Sequence, residues 1–245
     1  MEVFIFFIVH WFGSLFFQTF FLHRYAAHKM FEMNRFWEKT FYILTYIFQG
    51  SSFLNPRAYA IMHRMHHAFS DTERDPHSPH FFSSVFGLMW KTKEIYFDLL
   101  RNQIKPGENF AKNVTEWKKF DEFADGWWHR IIWGAGYTLF YVVFATEWWM
   151  FIALPVHFIM GPVHGAIVNW FGHKYGYRNY NDTHDHSKNT LFFDFLTMGE
   201  LFQNNHHKYP GRPNFATRFF EFDPTYPIIK LLHWIGIIKL KNITN

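Results

Sequence analysis

From Val3 to Leu22 the chain has no Asp, Glu, Lys or Arg, and about 20 mostly apolar residues are what an α-helix needs to cross a bilayer. In lipid every backbone polar group must be satisfied within the segment, so such a run can only be helical. Ile131–Trp149 and Phe151–Trp170 repeat the pattern and predict a hairpin of spans turning near Glu147. Phe41–Leu54 is apolar but too short to span, and it ends in the polar run Gln49-Gly50-Ser51-Ser52. It predicts an interfacial or re-entrant helix. The intervening stretches, Arg57–Asp125 and Gly172–Asn245, are polar, with a short amphipathic surface segment over Pro227–Leu240. The expectation is a single all-α membrane domain over residues 1–245: about three transmembrane helices (3–22, 131–149, 151–170), an interfacial helix (41–54) and a helical cap. With 34 Phe, 12 Tyr and 11 Trp, the apolar content leans on aromatics rather than Leu, Val and Ile. That balance suits contact with lipid and headgroups.

No Lys or Arg precedes Arg24, and none lies between Arg130 and Lys174. Under the positive-inside rule the remaining polar segments face the cytoplasm, and the N-terminus and the Glu147 turn face outward. The apolar N-terminus lacks a basic flank and a small-residue cleavage site, so it reads as a retained span. A net charge of +4 spread over loops offers no stripe for nucleic acid. Cysteine is absent, which excludes disulfides, thiolate-ligated haem and cysteine-held iron–sulfur clusters within this chain. Any electrons must therefore come from another protein.

The polar segments carry grouped histidines: His23 and His28, then His63, His66 and His67, then Asn169 and His173, then Gln203, His206 and His207. His63, His66 and His67 sit at i, i+3 and i+4, so on a helix all three point from one face. His23 and His28 are five apart, roughly 140° around an α-helix, and would approach a site from different angles. Eight imidazoles suffice for two metal ions with about four nitrogens each. Imidazole alone leaves Fe, Zn, Cu and Ni open. No Glu-x-x-His occurs, which argues against a carboxylate-bridged site in a helix bundle, and no His-Glu-x-x-His, which argues against a zinc protease.

The spacings H-x4-H, H-x2-H-H and x-x2-H-H, with Asn-x3-His between the last two, resemble the integral-membrane acyl desaturases, notably the stearoyl-CoA type. The resemblance covers Leu22–His80 and Asn169–Pro210. It implies two iron ions (Fe2+/Fe3+) that use O2 and two external electrons to remove two hydrogens from a saturated acyl chain, leaving a cis double bond. The ligands it implies are His23, His28, His63, His66, His67, His173, His206 and His207, with Asn169 acting through water. At Gln203 the stearoyl-CoA enzymes have histidine, so one iron loses a nitrogen there unless the amide supplies an oxygen or holds a water. On the substrate side it implies Gln49, near the bend of an acyl tunnel, with Arg57 and Tyr59 as further substrate contacts. Ile61 and Met62 stand where those enzymes carry an Arg-Asp pair for CoA, so the acyl carrier is left open between acyl-CoA and a related or lipid form. The implied partners are a fatty acyl substrate, membrane lipid and a separate electron donor of ferredoxin or cytochrome b5 type. The implied setting is a compact bacterial version, multi-pass in the inner membrane with its site facing the cytoplasm.

An unactivated methylene has no acidic proton, so breaking it calls for a strong oxidant rather than a general base. Ligating imidazoles need partners on their second nitrogens, and Asp71, Glu73, Asp75, Asp182, Asp185 and Glu200 are close enough in sequence to serve. His10, His157 and His164 are expected to make structural hydrogen bonds between helices. His184 and His186 read as loop residues, and His77, in Asp75-Pro-His77, as context for the second group. Two other readings stand beside desaturation. A fatty acyl or alkyl hydroxylase would use the same centre, and a metal transporter or sensor would bury its ligands mid-span.

Overall fold

The computed structural model describes residues 1–241. The uncharged run forms α1 (Glu2–Phe17), which continues without a break through π-type turns over Gln18–Ala27. The His28 N–H bonds to the carbonyl of His23, five residues back, at 3.1 Å. After a reversal at Lys29 (φ +54°), strand β1 (Phe31–Met33) pairs antiparallel with β2 (Ile238–Leu240). Asn34 starts α2 (Arg35–Gln49) by accepting the Trp37 N–H at 3.0 Å. Asn55 likewise caps α3 (Pro56–Phe69), accepting from Arg57 and Ala58, while Pro56 fills a position that needs no donor.

Helices α2 and α3 are joined by a 3-10 turn, Gly50–Ser52, and its packing explains a departure from the expected spans. Helix α7 (Trp127–Phe144) is continuous, but the next segment is not a straight span. It runs as a 3-10 stretch (Trp148–Ala153), then α8 (Leu154–Phe158) and α9 (Met160–Lys174), bent by 78° at Ile159. Pro162 has no N–H to extend a helix across that point. The backbone groups the bend frees are met by the turn: Ser51 Oγ donates to the carbonyls of His157 (3.3 Å) and Phe158 (3.1 Å), and the Gly161 N–H donates to Ser52 Oγ (3.0 Å). Broken helices in apolar surroundings persist where neighbours supply such bonds. Gly50 holds φ +51°, and a Cβ there would lie 1.7 Å from Tyr137 Oη, so no other residue fits. Among the described residues one helix, Glu2–Ala27, is long and apolar enough to cross a membrane, and the bent pair would make a second. Ile131, Ile132, Leu139, Val142 and Val143 of α7 are exposed.

The cap comprises α4 (Val85–Leu100), α5 (Glu108–Ala111), α6 (Lys118–Ala124), α10 (Leu191–Asp194), α11 (Gln203–Lys208) and α12 (Thr225–Trp234). The expected segment over Pro227–Leu240 is helical only to Trp234. Gly236 (φ +77°) turns the chain into β2. The main core gathers Phe20, Phe21, Phe31, Tyr42, Phe202 and Phe215 around the first helix. Within it Arg24 is fully buried, 2.7 Å from Asp223 and 4.1 Å from the centre of the Phe215 ring.

Asp125, just before α7, accepts from Asn55 Nδ2 at 3.0 Å through one oxygen, while the other is buried without a partner. Burial pushes its carboxyl up to about 6. An acid whose pKa rises on folding is better tolerated protonated, so the stability it costs at neutral pH returns as pH falls through about 6. Asp125→Asn is therefore expected to melt higher than the parent at pH 7.5, by an amount on the order of 1–3 kcal/mol. The gap should narrow to roughly half at pH 5 and close near pH 4, where the unfolded carboxyl also takes up its proton. Equal melting at pH 7.5 and at pH 5, measured in detergent, would contradict this.

Candidate metal centre

The π turns bring His28 back over His23, so the two rings lie 4.9 Å apart rather than on different sides of an α-helix. They join His63 and His67, one turn apart on α3, and His206 on α11. Nε2 faces Nε2 at 2.7 Å (His28–His63), 3.0 Å (His63–His67), 3.0 Å (His67–His206) and 2.9 Å (His206–His23). Two neutral imidazoles can share a proton across such a gap, but five nitrogens meeting together cannot all be paired that way. Ligands at right angles around an ion with bonds of about 2.1 Å are roughly 3.0 Å apart, so the group fits a metal ion.

A second group holds His66, His173 and His207, whose rings are mutually 5.0 Å apart. Nε2 of each is buried with no partner among the described residues. Each Nδ1 meets a carboxylate: His66 with Asp75 at 2.9 Å, His173 with Asp71 at 2.8 Å and His207 with Asp185 at 2.5 Å. In the first group His23 Nδ1 lies 2.5 Å from Glu200, which also accepts from Thr19. Carboxylates in this place fix which nitrogen is free to ligate. Four of the six anticipated acids serve. Asp182 instead pairs with Lys208, and Glu73 is exposed. The division is five and three, not four and four, because His63 and His67 turn toward one group and His66 toward the other.

The electrostatics suit ligation, which needs neutral imidazole. Burial, then the neighbouring rings, hold His28, His63, His67 and His206 well below the ordinary histidine range. Burial also takes His207 down to about 4. For His66 burial acts the same way, but the Asp75 carboxylate together with those of Asp71 and Asp185 outweighs it and raises the group. Burial would raise Asp71, Asp75 and Asp185, but their histidines hold all three below the usual carboxylate range.

A cavity runs past His23 and His63, with Asn169 and Gln203 beside them and Met62, Leu88, Met89 and Val168 on its apolar walls. Tyr59 lines it and stacks on His63 at 5.9 Å. Exposed Lys93 stands on its margin, a residue the sequence patterns did not mark. Asn169 Nδ2 donates to the Gly165 carbonyl (2.8 Å), and Gln203 Nε2 to that of Glu200 (2.7 Å). Two expected substrate contacts lie elsewhere. Gln49 accepts the Leu54 N–H at 2.9 Å, inside the α2–α3 turn. Arg57 donates to the carbonyls of Leu99 and Leu100 and lies 3.7 Å from Glu116, so it is spent on the open C-terminal end of α4. His10 and His157 do bond between helices, at 2.6 Å. His164 does not: both its nitrogens are buried without partners, beside the Trp11 ring. The His186 ring lies against that of His80 at 4.6 Å, tilted by 52°, and His186 donates its backbone N–H to Asp71.

The family model for fatty acid desaturase matches residues 2–227. The chain is 28% identical over 227 residues to a Delta-9 desaturase-like 4 protein of Arabidopsis thaliana, covering 89% of this chain and 69% of that one. It is 29% identical over 236 residues to an sn-1 stearoyl-lipid 9-desaturase of Synechocystis, covering 89% and 64%. An acyl-CoA 5-desaturase of Anemone leveillei is 29% identical over 219 residues, covering 88% and 64%. The chain thus spans about two thirds of the length of these relatives.

Proposed function

The chain belongs to the fatty acid desaturase family, membrane-associated oxidoreductases, and from that premise we propose that it is an O2-dependent di-iron desaturase placing a cis double bond in a saturated fatty acyl chain. The observation that carries this is the pair of imidazole groups, five and three, beside a cavity with apolar walls. In the proposal His23, His28, His63, His67 and His206 hold one iron, and His66, His173 and His207 the other. With both irons bound, O2 and two external electrons supply an oxidant strong enough to take two hydrogens from adjacent methylenes.

The chain's own residues do the rest. Met62, Leu88 and Val168 exclude water around the acyl tail, and Tyr59 presses on His63 and fixes the approach to it. Asp71, Asp75, Asp185 and Glu200 hold the imidazoles by Nδ1, so that each Nε2 turns inward. Asn169 borders the cavity, and in this reading its side-chain oxygen holds a water next to the centre. Relatives named for both lipid-linked and CoA-linked substrates leave an acyl lipid and an acyl-CoA as the two carriers to compare. The proposed setting is a bacterial inner membrane. The first helix and the α7 and α8–α9 segments lie in lipid, the α2–α3 hairpin is re-entrant, the histidines face the cytoplasm, and a ferredoxin or cytochrome b5-type protein delivers electrons.

Expression in a host membrane with iron and an electron donor, followed by mass spectrometry of the lipids, tests this. New monounsaturated chains are expected. Hydroxylated chains would assign the centre to hydroxylation instead, and unchanged lipids with a metallated protein and an active donor would reject both.

A further inference from the structure

His164, the histidine that makes no bond between helices, lines the cavity. It is 1% exposed, and both its ring nitrogens are buried and unpaired among the described residues. The Trp11 ring, 4.4 Å away and perpendicular, fixes the imidazole in place, but the indole N–H is committed to the carbonyl of Leu196 at 3.2 Å. Gln18 on the first helix lines the same cavity, and its side-chain oxygen is likewise buried and unpaired among the described residues. A Cβ on Gly165 would lie 3.9 Å from Gln18 Nε2, so the amide stands over the α9 backbone next to His164. Leu15 and Gly161, three residues earlier on the same two helices, also line the cavity and offer no polar side chain to either.

The pair sits deeper than the metal-side end of the cavity. His164 precedes Asn169 by five residues on α9, and Gln18 precedes His23 by five on the first helix. On α9 that is about 7.5 Å farther from the cap, a distance of several methylenes. Buried polar atoms without partners are costly, and an ionisable side chain in a membrane-embedded segment usually marks where a ligand passes or binds. A plain hydrocarbon tail would leave these three atoms unpaired. A hydroxyl would not: it can donate to Gln18 Oε1 or to the unprotonated His164 nitrogen, and its oxygen can accept from the His164 N–H.

We propose that the cavity takes a hydroxylated acyl chain, whose hydroxyl, several methylenes beyond the metal-side end, is held by His164 and Gln18. This rests on the desaturase reading above and adds a substrate class to it.

The test is acyl binding, which needs neither turnover nor an electron donor. The purified full chain in detergent is titrated with stearic acid and with monohydroxystearic acids bearing the hydroxyl at successive carbons of the distal half, each as free acid and as CoA ester. One hydroxystearoyl chain is expected to bind at least ~10-fold more tightly than the stearoyl chain, because a site built for a hydroxyl is left with unpaired buried atoms by a chain that lacks one. His164→Leu should erase that margin while tightening the stearoyl chain, which a collapsed cavity would not do. A stearoyl chain bound as tightly as every hydroxystearoyl chain, or a margin that survives in His164→Leu, overturns the proposal and leaves the pair holding ordered water only. Should His164→Leu not fold, Gln18→Leu decides: a narrowed margin supports the proposal and an unchanged one overturns it. A parent that binds none of these chains rejects the acyl cavity itself, an outcome distinct from the loss of preference.

Discussion

Replacing His66 with alanine is expected to leave at most one tightly bound ion and to lower production of unsaturated chains by at least ~100-fold. His66 is the ring on which the second group is built. It lies 5.0 Å from both His173 and His207 and 4.4 Å from His77. Its loss also strips Asp75, whose side chain is fully buried, of the imidazole that holds its charge. The carboxylate keeps the backbone N–H groups of Asp71 and His77, so the loop stays tethered while the metal position empties. Iron per chain by elemental analysis, beside lipid profiling of the same cells, checks both parts. Full iron with normal product would refute the division of the histidines into two working groups.

The second large effect is on stability. Arg24→Met is expected to destabilise the fold by about 3–5 kcal/mol, because it leaves the Asp223 carboxylate buried and unpaired. For a chain of this size that is a drop in melting temperature of roughly 10 °C. Both partners are fully buried, and Asp223 also accepts the N–H groups of Phe215 and Thr225, so it ties the last cap segments to the first helix. Lysine should not substitute, since the flat guanidinium also lies over Phe215. Arg24→Met with Asp223→Leu should recover part of the loss, because a matched apolar pair leaves no orphaned charge. A single variant that melts within a degree of the parent, followed in detergent, would refute this account.

Much of this architecture was legible in the residues, and where it was not there is a physical reason. The first helix follows from Val3–Leu22, and the turn after α2 from the shortness of Phe41–Leu54 and its polar end. The bend at Ile159 was hidden because apolar composition continues on both sides of it. Its cause lies partly in Ser51 and Ser52, more than a hundred residues away. The histidines announced themselves by number and spacing, but their division did not. The π turns between Gln18 and Ala27 change which way His23 and His28 face, and nothing local dictates them. Proximity in sequence found Asp71, Asp75, Asp185 and Glu200 but not the direction of Glu73 or Asp182, since a loop residue's neighbours do not fix its side chain. Gln49 and Arg57 were named beside the resemblance, and neither lines the cavity: Gln49 Oε1 accepts the Leu54 N–H while its Nε2 is buried without a partner among the described residues, and Arg57 donates to the Leu99 and Leu100 carbonyls.

The serine-tipped turn between α2 and α3 has a consequence for how the chain is made. As the ribosome delivers it, the first hundred residues carry a hairpin in which the Ser51 hydroxyl awaits carbonyls, and the Ser52 oxygen an N–H, not yet synthesised, and the later segment emerges with a break whose exposed groups these serines meet. Neither half can settle in an apolar surrounding before the other arrives, so assembly becomes a single late event. A gene split between Phe144 and Trp148 should therefore yield two fragments that persist only when produced together.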